Sequence, residues 1–177
     1  ALAWLGQSEA PAFLWVHLFD AHRPWLPERT SWKAWDGDAY RAEINEVDTQ
    51  TGRLLDALQA AGRLDSSLVV IAADHGEGLG EHGEATHAYF AYESTLQIPL
   101  LFWWGQQAPL ATAPLARGAQ IEGAASLADV APTLLDLAGL AVPSDVQGRS
   151  WAERLDAAPD EPAPVDLVWA ELGTPGN

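Results

Sequence analysis

Ser67-Leu-Val-Val-Ile-Ala-Ala73, followed at once by Asp74-His-Gly-Glu77, is the stretch on which the reading of this chain turns. Residues 67–73 are almost continuously apolar and rich in β-branched side chains, which suits a strand buried on both faces of a parallel sheet. Ligands gather at the carboxyl ends of such strands, and this strand delivers Asp74 there. Successive strand side chains point to opposite faces, so the backbone must bend if Asp74 and His75 are to reach one ion. Gly76 supplies that freedom.

Working outward toward the N-terminus, the spacing of Ile44, Val47, Thr51, Leu54, Leu55 and Leu58 predicts a helix from about Asp38 to Ala61. Asp36 or Asp38 is suited to cap its start and Gly62 to end it. Before it, Pro24 to Gly37 holds Trp25, Trp32 and Trp35 among polar residues and reads as an ordered loop. Ala12-Phe-Leu-Trp-Val-His-Leu-Phe19 reads as a further buried strand. Toward the C-terminus come a Gly-, Glu- and His-rich loop over 74–86, a short helical segment near 88–95 and a strand over 98–103. After a loop over 108–114, a possible strand over 120–125 leads to a helix over Leu127–Leu137 that Gly139 stops. Residues 157–164 read as a Pro- and acid-rich linker, and 166–171 as a possible terminal strand. Strands and helices in alternation predict an α/β layer with a mainly parallel sheet flanked by helices.

The chain has 177 residues, about one domain's worth. Nine Lys and Arg against 25 Asp and Glu give a formal net charge of −16. That balance excludes nucleic acid as a partner, because phosphate backbones need a basic stripe, and it argues against an anionic membrane surface. An apolar fraction of 48% is too high for wholesale disorder. The apolar runs are too short to span a bilayer. Without cysteine there is no disulfide framework and no thiolate metal site. There is no methionine, so Ala1 is expected to open in mid-sequence, with any leader outside this stretch.

The densest chemistry is Asp74-His-Gly-Glu-Gly-Leu-Gly-Glu-His-Gly-Glu-Ala-Thr-His87, which holds three of the five histidines. A carboxylate beside an imidazole makes a good divalent site. On the alternative reading Asp74 caps a turn and the histidines decorate a solvated loop, the reading that Glu81 and His82 fit. A second cluster is His17-Leu-Phe-Asp-Ala-His-Arg-Pro24. Alternation places His17 inside the strand as a hydrogen-bonded core residue. His22 and Arg23 lie past the strand end, where they belong either to a solvated turn or to an anion, which an Arg fork pairs with well. Ser126 to Gly139 reads as packing, with Asp129 available to cap a turn.

In this order these segments resemble the sulfatase family of the alkaline phosphatase superfamily. The pieces that carry the likeness are His17–Pro24, Thr51-Gly-Arg-Leu-Leu55, Val69-Val-Ile-Ala-Ala-Asp-His-Gly-Glu77, Gly83-Glu-Ala-Thr-His87, Tyr92-Glu-Ser94, Ile98-Pro-Leu-Leu-Phe102, Asp129–Gly139 and Gln147-Gly-Arg-Ser150. The resemblance is strongest over 11–151 and implies that 1–177 is the C-terminal part of an alkaline phosphatase-like catalytic domain. It implies hydrolysis of sulfate or phosphate esters with one divalent metal, held here by Asp74 and His75. His22 would contact the ester or leaving group, and His87 would stand where the family has a Lys or His on the anion. The nitrogen donor moves the expected metal from calcium toward manganese or zinc.

Departures accompany the likeness. The family's nucleophile, a formylglycine made from Cys or Ser in a C/S-x-P-x-R motif or an unmodified Ser or Thr, lies with an Asp pair in the N-terminal part. No such motif occurs in this sequence, so the stretch itself is expected to hold half a metal site and no nucleophile. Ala21 stands where many members have Pro, and the single lysine is Lys33. The expected substrate is a small-molecule, carbohydrate or lipid ester, and the family favours a periplasmic or extracellular location. A net charge of −16 repels such an anion at long range, so salt should raise the on-rate where that repulsion dominates. Two other readings stay open: a non-catalytic carbohydrate- or partner-binding relative, and a phosphotransferase with a Thr nucleophile. The sequence does not settle the oligomeric state.

Overall fold

A computed structural model describes residues 2–5, 11–87, 89–111, 118, 120–121 and 123–156. The chain divides into two compact units, 1–67 with 104–107, and 68–103 with 108–177. Each is described by itself.

The first unit is built on one long helix. After α1 (Leu2–Leu5) and α2 (Arg29–Ala34), α3 spans Ala39–Ala60. Asp38 caps α3: its side chain accepts from the Arg41 backbone N–H at 3.0 Å and pairs with the Arg41 guanidinium at 3.4 Å. Gly62, at φ +66°, provides the left-handed turn that ends it. The expected helix is therefore present nearly to the residue. Val47, Thr51, Leu54, Leu55 and Leu58 are half-buried as their spacing requires, whereas Ile44 is exposed. The most buried positions are Ala42 and Glu43.

Two expectations need correction here. Residues 24–37 contain the short helix α2, with Trp32 and Trp35 exposed, while Trp25 packs against Tyr40 at 5.5 Å between ring centres. Residues 12–19 form no strand. Phe13 is 79% and Trp15 83% exposed, and His17, expected in the core, is exposed and meets the ring of Phe19 edge-on. A strand exists only with a ladder partner for its backbone N–H and C=O groups. Among the described residues the sheet has two strands, β1 (Leu68–Ala72) and β2 (Leu100–Trp104), paired with each other, and neither serves the 12–19 run.

In the second unit β1 confirms the central strand. Its residues are half-buried to exposed rather than buried on both faces, since among the described residues β2 alone lies beside it. A one-turn helix α4 (Glu93–Leu96) leads into β2, as the segment near 88–95 suggested. The described residues of 120–125 form no strand. A 3-10 turn, Leu127–Asp129, opens into α5 (Val130–Leu137), and Gly139 at φ +69° stops it. Pro132, Thr133 and Leu137 on α5, with Trp151 and Ala152 at the start of α6 (Ala152–Asp156), are the buried centre of this unit. The linker and terminal strand expected over 157–171 lie outside the described residues. No helix among the described residues is long and apolar enough to cross a membrane.

Candidate metal and ester site

β1 ends at Ala72, and the chain turns at Asp74 into the loop the sequence marked out. Gly76 is the residue that permits the turn. Its N–H donates to the Thr95 carbonyl at 2.9 Å, and a Cβ built on it would fall 2.2 Å from the Ser94 carbonyl oxygen. Only glycine lets the two backbones approach this closely.

Asp74 and His75 come to the same place. The His75 backbone N–H donates to Asp74 Oδ1 at 3.1 Å, and His75 Nε2 lies 3.9 Å from the same oxygen. His75 Nδ1 is 2.7 Å from the Gly76 carbonyl oxygen. A carbonyl can only accept, so Nδ1 carries a proton, and Nε2 is the ring nitrogen near the Asp74 carboxylate, which is 80% exposed. Donors each about 2.1 Å from one ion stand no more than about 4.2 Å apart, so the observed separation suits one divalent ion. A backbone carbonyl on the other nitrogen is also how ligating histidines are held. These residues therefore fit the cation the sequence implied. They are two donors, and no group of three or more His, Asp or Glu suited to a metal occurs among the described residues.

His87 joins this pair. Its ring centre is 4.0 Å from that of His75, and its Nδ1 is 3.0 Å from Glu77 Oε1. Glu77, to which the sequence alone gives no role, is thus the residue that meets the His87 ring. The signal was present in Asp-His-Gly-Glu, where an acid follows the metal-pair histidine by two residues. Glu81 and His82 behave as the loop reading expects. Glu81 accepts from the Leu79 N–H at 2.7 Å, and its own backbone N–H together with that of Leu79 holds its carboxyl below the usual range. His82 stacks on Tyr92 at 4.0 Å.

His22 and Arg23 belong to the first unit. His22 stacks on Phe19 at 4.7 Å, and its Nδ1 donates to the Arg23 carbonyl at 2.6 Å. The Arg23 guanidinium lies over the Trp25 ring at 5.6 Å, and the Arg23–Pro24 bond is cis. The turn that carries them is tied to α3 by Glu43, which periodicity alone did not single out. One of its carboxylate oxygens accepts from the Ala21 N–H at 3.0 Å and the other from the Leu26 N–H. Replacing Glu43 by alanine strands both N–H groups. It should lower stability by about 2–3 kcal/mol and loosen the His22 turn. An unfolding free energy from denaturant melts that changes by less than about 0.5 kcal/mol would show that Glu43 does not hold this turn.

A family model described as Sulfatase matches residues 1–140. An N-acetylglucosamine-6-O-sulfatase of Bacteroides thetaiotaomicron is 37% identical over 124 residues, covering 70% of this chain and 21% of that protein. A solved structure of a protein in complex with its substrate D-glucosamine-2-N,6-O-disulfate is 33% identical. It superposes with a TM-score of 0.59 and covers 75% of this chain and 26% of its own. The phosphonate monoester hydrolase of Silicibacter pomeroyi is 30% identical with a TM-score of 0.58, over 70% of this chain and 23% of that one. The chain thus spans about a fifth of the length of the curated relatives it matches. The alkaline phosphatase-like α/β class expected from sequence is the fold of these neighbours.

Proposed function

The chain belongs to the sulfatase family, and from that premise we propose that the protein carrying it hydrolyses sulfate esters, or phosphate or phosphonate esters, with a divalent metal. The observation that carries this reading is the Asp74–His75 pair at the end of β1, with Nε2 3.9 Å from Oδ1. Asp74 and His75 are the proposed ligands. A nitrogen donor favours manganese or zinc over calcium. When bound, the cation supplies Lewis-acid polarisation of the ester oxygen and helps ionise the nucleophile.

The remaining roles fall to side chains. His87 steadies the anion, and His22 donates to the leaving oxygen, which an imidazole does well at neutral pH. Arg23 offers a planar fork to the sulfuryl or phosphoryl oxygens. The nucleophile, a formylglycine or an unmodified Ser or Thr, is assigned to residues beyond this sequence. The substrate is a small ester, and the sugar sulfate bound by one structural relative supports a carbohydrate. A periplasmic or extracellular location goes with that reading.

The test is an assay on aryl sulfate, aryl phosphate and aryl phosphonate esters before and after exhaustive chelation, with manganese, zinc and calcium added back singly. Turnover should vanish on chelation and return with manganese or zinc. Turnover that survives chelation would overturn the metal assignment, and silence toward all three esters would overturn the activity.

A further inference from the structure

We propose that Glu77 is a positioning residue for His87: its carboxylate accepts a hydrogen bond from Nδ1–H and fixes the orientation of the imidazole ring. The functional part of this proposal rests on the reading that His87 acts on the ester anion.

The geometry leaves Glu77 little other use. Its side chain is 4% exposed, and Oε1 lies 3.0 Å from His87 Nδ1 and 3.2 Å from the Gly78 backbone N. An ionised carboxylate can only accept, so a bond at this distance places the proton on Nδ1. Thr86 Oγ1 is further from the same nitrogen, at 3.4 Å. A carboxylate taken out of water costs several kcal/mol unless it is paired and hydrogen-bonded, so it is not retained idly.

The backbone prevents Glu77 from swinging away. A Cβ on Gly78 would fall 2.4 Å from the Thr86 carbonyl oxygen, so the strand of chain bearing Glu77 is pressed against the strand of chain bearing His87. On its other side the His87 ring lies against His75 at 4.0 Å. The two imidazoles are anchored alike: His75 through Nδ1 to the Gly76 carbonyl, and His87 through Nδ1 to the carboxylate of the next residue, Glu77. Consecutive acceptors thus bind Nδ1–H of both rings.

Kinetics and nitrogen NMR on the protein that carries this chain test the proposal. Glu77→Ala should lower kcat roughly 10–100-fold, the range seen when a partner orienting an imidazole is removed, with KM changed less than about threefold. Glu77→Gln keeps an acceptor oxygen in place and should restore most of the loss. In a His87→Ala background, Glu77→Ala should cost nothing further. Two-bond proton–nitrogen spectra of the unmutated protein should show His87 protonated at Nδ1. That readout stands even where Glu77→Ala fails to fold. It also stands if no ester is turned over, which would defeat the proposed activity and leave the Nδ1 hydrogen bond to be read by itself. A proton on Nε2 alone, an undiminished loss in the His87→Ala background, or equal damage from Gln and Ala would overturn the positioning role.

Discussion

Replacing Asp74 by alanine is expected to lower turnover by on the order of 10³-fold or more while moving stability by no more than about 0.5 kcal/mol. The two magnitudes have separate origins. Asp74 is 80% exposed and gives the fold one hydrogen bond, from the His75 backbone N–H to Oδ1 at 3.1 Å. Water replaces that bond when the side chain is cut back. For a bound cation the same carboxylate is one of two donors supplied here, and its loss removes charge where the ester oxygen must be polarised. A loss of about 4 kcal/mol in transition-state stabilisation corresponds to roughly 10³ in rate. His75→Ala should be at least as damaging to turnover and should cost some stability as well, because its ring packs on His87. Metal content after dialysis should fall in both variants. Near-normal turnover in Asp74→Ala, or a loss of activity that tracks a fall in melting temperature, would sink the metal assignment.

Where neighbouring residues decide the outcome, the sequence was enough. Asp38 and Gly62 bracket α3 because a cap and a left-handed stop act within one turn of themselves. The strand over 68–72 and the loop after it were legible for the same reason: a β-branched run followed by Gly-rich chain has few other uses. The 12–19 run failed the other way. Its composition is that of a strand, but strandedness belongs to a pair, and the described residues hold no partner for it. His17 followed the strand out of the core. Within the site, adjacency brought Asp74 and His75 into view. Glu77 meets His87 across ten residues of loop, and its burial is set by how Gly76 and Gly78 let the chain fold back. Glu43 reaches Ala21 and Leu26 across 22 and 17 residues, contacts that no periodicity encodes.

Asp129 shows how far such distance can carry, and Asp129→Ala should be among the most destabilising single changes in the chain, at about 3–5 kcal/mol. The sequence suggested a cap, and Asp129 is one: its Oδ2 accepts from the Ser126 N–H at 2.9 Å in a reciprocal capping box. It also binds segments far along the chain. Oδ1 accepts from the Arg149 N–H at 2.9 Å and Oδ2 from the Trp151 indole at 3.0 Å, while the Asp129 carbonyl accepts from Thr133 Oγ1, which in turn accepts from the Trp151 N–H. Alanine would strand three donors around a buried position, each costing about 1–3 kcal/mol. The same contacts set a pH dependence. Burial opposes ionisation of Asp129, but the N–H groups of Ser126 and Arg149, the Trp151 indole and the charge of Arg149 outweigh it and hold the carboxyl below its ordinary value of 3.8. A carboxyl with a depressed folded pKa contributes stability above the unfolded value and loses it as pH falls through the folded one. Stability should therefore decline as pH drops below about 4, and the decline should be shallower in Asp129→Asn, which has no charge to lose there. Denaturant melts at pH 7 and pH 3 measure both effects; an Asp129→Ala cost under about 1 kcal/mol, or equal acid slopes in the two proteins, would refute this account. Turnover in these variants should fall only in step with the folded fraction, the opposite of Asp74→Ala, because the hydrogen bonds of Asp129 run to Ser126, Thr133, Arg149 and Trp151.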